Sequence, residues 1–351
     1  MTLNVALLGY GYVGRTFHAP LIEATPGLRL VAVGSSDASK VHADRPDVAV
    51  ASADDVLARA DVDLVVIATP NETHHPLACR ALEAGRHVVV DKPFTITLAE
   101  AIDLARRAAE RRLLLSVFHN LRWNADFLTL RALIESGRLG HVRFLESHFD
   151  RYRPMVRPRW REQPGPGSGI WYDLGSHLLD QALQLFGRPR AIYADLAMQR
   201  DGAVAVDYFH VLLRYETRRV VLHGSNLVAG GSPRFVLHGD AASYVKYGLD
   251  PQEEALRRGE RPGAAGWGRD VQDGTLYVPS EPATQTEPVP TQRGDWRLYY
   301  ARIAEAASGA GANPVPPEQA IDVMELLELA LQSAAQGREL AVNASGPAIT
   351  A

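Results

Sequence analysis

An α/β chain with an N-terminal doubly wound parallel sheet and a C-terminal α+β half is the fold class this sequence predicts. Three observations carry it. Strand-like apolar runs alternate with helical patterns through the first third. A glycine-rich turn stands between the first apolar run and the first helical pattern. After residue 120 the alternation stops and strand-like runs follow one another directly, which indicates a largely antiparallel sheet. At 351 residues the chain exceeds what one core usually serves, so two domains are expected, 1–120 and 121–351.

The strand-like runs of the first domain are Asn4 to Leu8, Leu30 to Val33, Leu64 to Ala68, His87 to Val90 and Leu114 to Phe118. Helical patterns run from Val13 to Ala24, His74 to Ala84 and Leu98 to Arg112; the first stops before Pro26-Gly27, the second at Gly85, and the third follows the candidate cap Thr97. Ligands of such sheets bind beyond the carboxyl ends of the strands, so those ends carry the functional reading.

After the first run comes Gly9-Tyr10-Gly11-Tyr12-Val13-Gly14, which fits G-x-G-x-x-G. The first glycine allows the tight turn, the second lets backbone approach a pyrophosphate, and the third permits close helix packing, so this turn predicts a dinucleotide site. After the second run comes Ser35-Ser36-Asp37-Ala38-Ser39-Lys40, about 20 residues past the glycines, where the ribose is read. Ser35, Ser36 and Lys40 suit a 2′-phosphate; Asp37 turned inward suits NAD; a helix cap by Asp37 or Ser36 is compatible with either. Thr69-Pro70-Asn71 and His74 follow the run at Leu64 and are placed near a nicotinamide ribose, although capping by Asn71 or Thr73 explains the same letters. Asp91-Lys92-Pro93 closes the run at His87. Of the 37 basic residues only Lys40, Lys92 and Lys246 are lysine. An ammonium exchanges a proton where guanidinium does not, which singles out Lys92 at the cofactor edge.

In the second half, Trp123 to Ser136 reads as a helix, followed by strands at Val142 to Phe149, Ala191 to Met198, Tyr208 to Tyr215, Arg219 to Ser225 and Arg234 to His238. Asp173 to Phe186 is a helix among them. Gly259 to Gly274 has no clear periodicity, Asp295 to Ala307 and Pro317 to Gln336 read as helices, and the final residues read as a frayed tail. Asp173 and His177 are four apart and share a helix face, so the carboxylate is placed to orient the imidazole. No further His or Cys cluster accompanies them in sequence, and no metal is expected.

The ordered set Gly9 to Gly14, Asp91-Lys92-Pro93 and Tyr172-Asp173-Leu174-Gly175-Ser176-His177 resembles the glucose-fructose oxidoreductase, inositol dehydrogenase and rhizopine-catabolism (Gfo/Idh/MocA) family. Phe17-His18-Ala19-Pro20-Leu21, Phe118 to Trp123, Arg151-Tyr152-Arg153-Pro154 and Arg159-Trp160-Arg161-Glu162 are similar to its branch of NADP-dependent scyllo-inositol dehydrogenases. The resemblance implies a Rossmann domain followed by a domain with a large open sheet, often used to form homodimers or homotetramers. It implies a reaction site of Lys92, Asp173 and His177, with Asp91 standing where the family's E-K-P motif has glutamate. Asn120 is then expected at the cofactor, and Arg122, Tyr152, Trp160 and Arg161 at the substrate. NADP(H) is expected, with NAD(H) the alternative, and the substrate is a secondary alcohol or ketone of a cyclitol or sugar. A nucleotide-sensing regulator with the same fold and no turnover is the competing class.

Composition narrows the partners. A formal charge of -4 with acids scattered among bases gives no field that recruits nucleic acid or an anionic membrane. The single cysteine, Cys79, forms no intrachain disulfide, and no apolar run reaches membrane-spanning length. A cytoplasmic enzyme acting on a small molecule is the expectation.

Overall fold

The computed structural model describes residues 2–347; the expected frayed tail reaches residues 348–351, which lie outside the described residues. The first sheet has six parallel strands in the order β3-β2-β1-β4-β5-β6. They are β1 (Leu3–Leu8), β2 (Leu28–Gly34), β3 (Ala49–Ala51), β4 (Leu64–Ile67), β5 (His87–Val90) and β6 (Leu115–Val117). β4 and β1 from Val5 onward are apolar without alternation because helices cover both faces, and Val5, Leu7, Val65 and Ile67 are all fully buried. The order reverses between β1 and β4, which opens the crevice where such folds bind ligands. The helix Leu98–Arg111 begins with the capping box that Thr97 and Glu100 form. The strand β3 is absent from the sequence reading: three residues are too short to show a period.

The second sheet is mixed and has nine strands in the order β14-β13-β12-β11-β7-β10-β9-β8-β15. The five runs read from sequence correspond to β7 (Val142–His148), β8 (Ala191–Ala197), β9 (Tyr208–Arg214), β10 (Arg219–Ser225) and β11 (Phe235–Gly239). The structure adds β12 (Ser243–Lys246), β13 (Gly274–Val278), β14 (Gln285–Val289) and β15 (Leu340–Ala341). β7 and β10 pair in parallel, and the other pairings are antiparallel. Trp171 and Phe209 pack edge to face between the helical layer and the sheet. Side chains alternating with that buried set, among them Tyr193 and His210, remain exposed on the other face.

The helix Pro317–Gln336 joins the two halves. Its Glu328 carboxylate accepts from the Leu98 amide at 2.6 Å, and its Leu327 carbonyl accepts from the Trp171 indole at 3.1 Å. It thereby fixes the start of a first-domain helix and the site helix of the second domain against one another.

Candidate active site

Both helices that carry the sequence motifs contain a π-turn. The helix over residues 12–23 holds one at Gly14–His18, and the helix over residues 169–186 holds one at Trp171–Gly175. Single π-turns of this kind occur often at functional sites. Small residues make both possible. A Cβ on Gly14 would stand 2.1 Å from the Gly9 carbonyl oxygen, and a Cβ on Gly175 would stand 2.3 Å from the Trp171 ring. Ser176 Oγ donates to the Tyr172 carbonyl at 2.8 Å, satisfying one backbone acceptor in the widened turn.

The glycine turn has the shape a pyrophosphate needs. Gly9 has φ +94°, and a Cβ there would meet the Ala68 carbonyl at 2.6 Å. Gly11, in contrast, faces open space, with nothing within 4 Å of where its Cβ would be. Tyr12 and Val13 line the cleft of about 550 Å³ that runs between the two halves. Tyr10 turns elsewhere: its hydroxyl donates to Asp44 at 3.0 Å, so it shapes the turn from behind.

Lys92, Asp173 and His177 meet at the floor of that cleft. Lys92 Nζ donates to the Asp173 carboxylate at 2.8 Å and to the Asp173 carbonyl at 2.6 Å. The expected Asp173 to His177 hydrogen bond is not the one formed. Spacing of four assumes an unbroken 3.6 repeat, whereas Asp173 lies inside the π-turn and His177 in the α-helix after it. Asp173 therefore positions Lys92. Burial alone would raise the Asp173 carboxyl, but Lys92, Arg161 and Arg151 outweigh it and hold it well below the usual carboxylate range. His177 is driven well below its ordinary value, by burial first and then by Lys92 and His119, so it is neutral at pH 7. Its buried Nδ1 has no protein partner, and neither has Nδ1 of His119, whose ring centroid is 6.2 Å away. Burial likewise brings His119 down to about 4.

The other predicted residues divide. Asp91, Asn120 and Arg161 line the cleft, and Asp91 also sits 3.4 Å from His18 Nε2. Arg161 Nε lies 3.5 Å from the Asp173 carboxylate. Arg122 is corrected: it is buried in a pair with Asp180 at 2.9 Å and a bond to Gln319 at 2.6 Å, so its donors are committed to the fold. His74 is corrected as well, because its ring nitrogens face the Pro93 carbonyl at 2.9 Å and the Thr69 carbonyl at 3.1 Å. It fixes the two turns beside the cleft and has no nitrogen left for a ribose. Asn71 reaches across to the second domain, donating to the Gly167 carbonyl at 2.9 Å. Thr69 accepts from the Thr73 hydroxyl at 2.5 Å, and Pro70 is exposed beside it. Tyr152 and Trp160 are exposed outside the cleft lining, Trp160 beneath the Arg161 guanidinium at 4.7 Å.

Sequence motifs did not single out the opposite wall, where Asp250, Glu253 and Arg257 close the cleft and Tyr12 donates to Glu253 at 3.2 Å. The roof is strongly cationic, with Arg151, Arg153, Arg157 and Arg159 joining Arg161. Burial first, and then Arg151, Arg159 and Arg157, bring Arg153 down to about 10.

At the ribose-reading position β2 ends at Gly34, so Ser35 is the next residue on the sheet edge. The Asp37 carboxylate is occupied in capping the helix Ala38–Asp44, accepting from the Lys40 amide at 3.0 Å. Ser36 and Lys40 are exposed beside it.

The description "Oxidoreductase family, NAD-binding Rossmann fold" matches residues 3–119, and "Oxidoreductase family, C-terminal alpha/beta domain" matches residues 131–342, both of the Gfo/Idh/MocA group. The chain belongs to the Gfo/Idh/MocA oxidoreductase family. It is 55% identical over 333 residues to the uncharacterized oxidoreductase YdgJ of Escherichia coli, covering 95% of this chain and 96% of that one. It is 39% identical over 344 residues to the scyllo-inositol 2-dehydrogenase (NADP(+)) IolW of Bacillus subtilis, covering 97% and 96%. A putative oxidoreductase of Yersinia pestis shares the fold with a TM-score of 0.94 at 53% identity, over 98% of each chain. The glycine turn and the cleft accordingly belong to an oxidoreductase with a nicotinamide-binding Rossmann domain. Among the described residues, no helix is long and apolar enough to cross a membrane.

Proposed function

We propose that this oxidoreductase interconverts a secondary alcohol and a ketone on a cyclitol or sugar of the scyllo-inositol type, using NADP(H). The observation that carries the reading is the meeting of a Lys92 ammonium held by Asp173 with a neutral, unpartnered His177 on one cleft floor. The residues present suit a dinucleotide: Gly9 and Gly14 are sterically required, while Gly11 leaves open room beside the turn. When bound, the nicotinamide supplies or accepts the hydride. His177 takes the substrate hydroxyl proton in oxidation and returns it in reduction, and Lys92 stabilises the developing alkoxide. Asp173 fixes Lys92, and the arginine roof offers donors to a polyhydroxylated ring.

The NADP(H) preference is supported by Ser35 at the strand end and by the capping duty that occupies Asp37. The activity for which the Bacillus subtilis relative is named supports both coenzyme and substrate class. A homodimer or homotetramer is part of the proposal, since the second sheet exposes Tyr193 and Tyr277 on its uncovered side. Sedimentation as a 38.3 kDa monomer at micromolar concentration would reject that part.

Absorbance at 340 nm with a panel of cyclitols and aldoses, and with each coenzyme, tests the activity. Turnover with at least one cyclitol or sugar, faster with NADP(H), is expected. Coenzyme binding without turnover on any member would favour a sensing role.

A further inference from the structure

The uncovered face of the second sheet holds a cluster that the proposed reaction does not use. His148 on β7, His223 on β10 and His210 on β9 stand side by side at one register level across three adjacent strands. Two residues beyond His148, the Asp150 carboxylate turns onto the same group. One ligand atom from each of His148, Asp150 and His223 lies within 4.8 Å of the others.

Both imidazoles stand near coordination-shell distance of the Asp150 carboxylate, each against a different one of its oxygens. His148 Nδ1 lies 3.3 Å from one Asp150 oxygen, and His223 Nε2 lies 3.5 Å from the other. A tetrahedral ion with bonds of about 2.0–2.1 Å has ligand-to-ligand edges of roughly 3.3–3.4 Å. Each ligand also has a group that fixes it from behind. The second nitrogen of His148 is 3.1 Å from the Glu146 carboxylate, the arrangement that orients an imidazole and raises its basicity toward a metal. The second nitrogen of His223 is 3.4 Å from His210 Nδ1. Asp150 accepts from the Ser225 amide at 3.0 Å and from the Ser232 hydroxyl. In the single chain the Asp150 side chain is 3% exposed and the two imidazoles 17% each, which leaves an ion a way in before a second copy covers this face.

We propose that His148, Asp150 and His223 form a binding site for a divalent transition metal of the zinc class, oriented by Glu146 and His210 and completed by water. Two imidazoles and one carboxylate favour such an ion over magnesium or calcium, which take oxygen ligands. All three ligands come from one chain, so the ion ties the parallel central pair β7 and β10 together near the carboxyl ends of these strands. The tie lies directly before Arg151, where the chain leaves for the roof of the active-site cleft. Motif reading does not find this site because residues 148, 150 and 223 are brought together only by strand pairing.

The test uses untagged full-length protein, stripped with a chelator and titrated with zinc chloride against a chromogenic competitor. One zinc per chain is expected, with a rise in Tm that a chelator reverses. His223→Gln and His148→Gln should each abolish the stoichiometric binding, and Glu146→Gln should weaken it by about 10–100-fold. Circular dichroism and coenzyme binding confirm that the variants fold; if one of the two histidine variants does not, the other decides. The remaining cluster of ligating side chains among the described residues is His75, Cys79 and Asp103. Cys79→Ser should therefore keep the zinc. Absence of stoichiometric binding, binding unchanged in the histidine variants, loss of binding in Cys79→Ser, or one zinc per two chains would each overturn the proposal. None of these outcomes bears on turnover, so the site stands or falls separately from the proposed reaction.

Discussion

Two lysine to aspartate pairs with the same 2.8 Å separation occupy opposite situations in this molecule. Lys92 meets Asp173 on the floor of the cleft between the halves, and Lys246 meets Asp270 beside the second sheet. The Lys246 side chain is fully buried and also donates to the Tyr247 carbonyl at 2.5 Å. The Lys92 side chain is 11% exposed, and that exposure opens on the cavity where His177 has an unpartnered nitrogen. The pair alone therefore says nothing about catalysis. Access and the neighbouring neutral base make the difference, and the scarcity of lysine in this chain does not: one scarce lysine is at the site, one is sealed in the fold and Lys40 is on the surface.

The largest effect expected is at the base. His177→Ala should lower turnover by about 10²- to 10⁴-fold while coenzyme binding survives, as for other general acid-base residues. Fluorescence titration with the coenzyme beside steady-state rates checks both halves of that statement. Near-normal turnover would leave His177 a packing residue.

The two lysines then break apart in different assays. Lys92→Arg should cost on the order of 100-fold in turnover, because a planar guanidinium neither fits a point-charge position nor exchanges a proton. Lys246→Met should instead destabilise the fold by about 3–5 kcal/mol, by leaving Asp270 buried without its partner. Urea unfolding and the specific activity of the folded fraction separate these outcomes. An activity loss in Lys246→Met with unchanged stability would erase the distinction.

The same contrast shows what the sequence makes legible. Gly9, Gly11 and Gly14, the cap at Thr97, the presence of Lys92 at a sheet edge and that of His177 in the first turn of a helix are local patterns, and local patterns can be read. The partner of Asp173 was not legible, since the π-turn at Trp171–Gly175 breaks the register on which the reading of four-residue spacing rests. Arg122 and His74 looked functional because their neighbours in sequence are functional. In the structure Asp180, Gln319 and two backbone carbonyls occupy them, and those contacts lie 58 and 197 residues away for the arginine. β12 and β15 escaped because they are four and two residues long.

A subtler consequence follows from the field at the cleft floor. Burial and then Lys92 hold His177 below its ordinary value, whereas Asp173 pulls it upward. Lys92→Met should therefore raise the His177 pKa and move the acid limb of kcat/KM to higher pH. Asp173→Asn should move it the opposite way. Histidine NMR titration follows the same group where turnover is too low to measure. Shifts of equal sign in both variants would show that His177 does not sense the pair. Lys246→Met, outside the cleft lining and absent from the charges that act on His177, should shift nothing.

The smallest effect expected is at the coenzyme edge, and it decides whether Asp37 is a cap or a reader. Its carboxylate accepts from the Lys40 amide and from the Ser39 hydroxyl at 2.7 Å, and these bonds hold the group below the usual carboxylate range. A carboxylate that accepts from the first-turn amides of a helix stabilises that helix as its cap. Asp37→Ala should accordingly lower Tm slightly and leave the ratio of NADP(H) to NAD(H) affinity unchanged. Ser35→Glu should lower that ratio, because it places a second negative charge where the 2′-phosphate is read. Isothermal titration with both coenzymes distinguishes the two. If Asp37→Ala changes the ratio and Ser35→Glu does not, the reader is Asp37, and its carboxylate leaves the cap for the ribose.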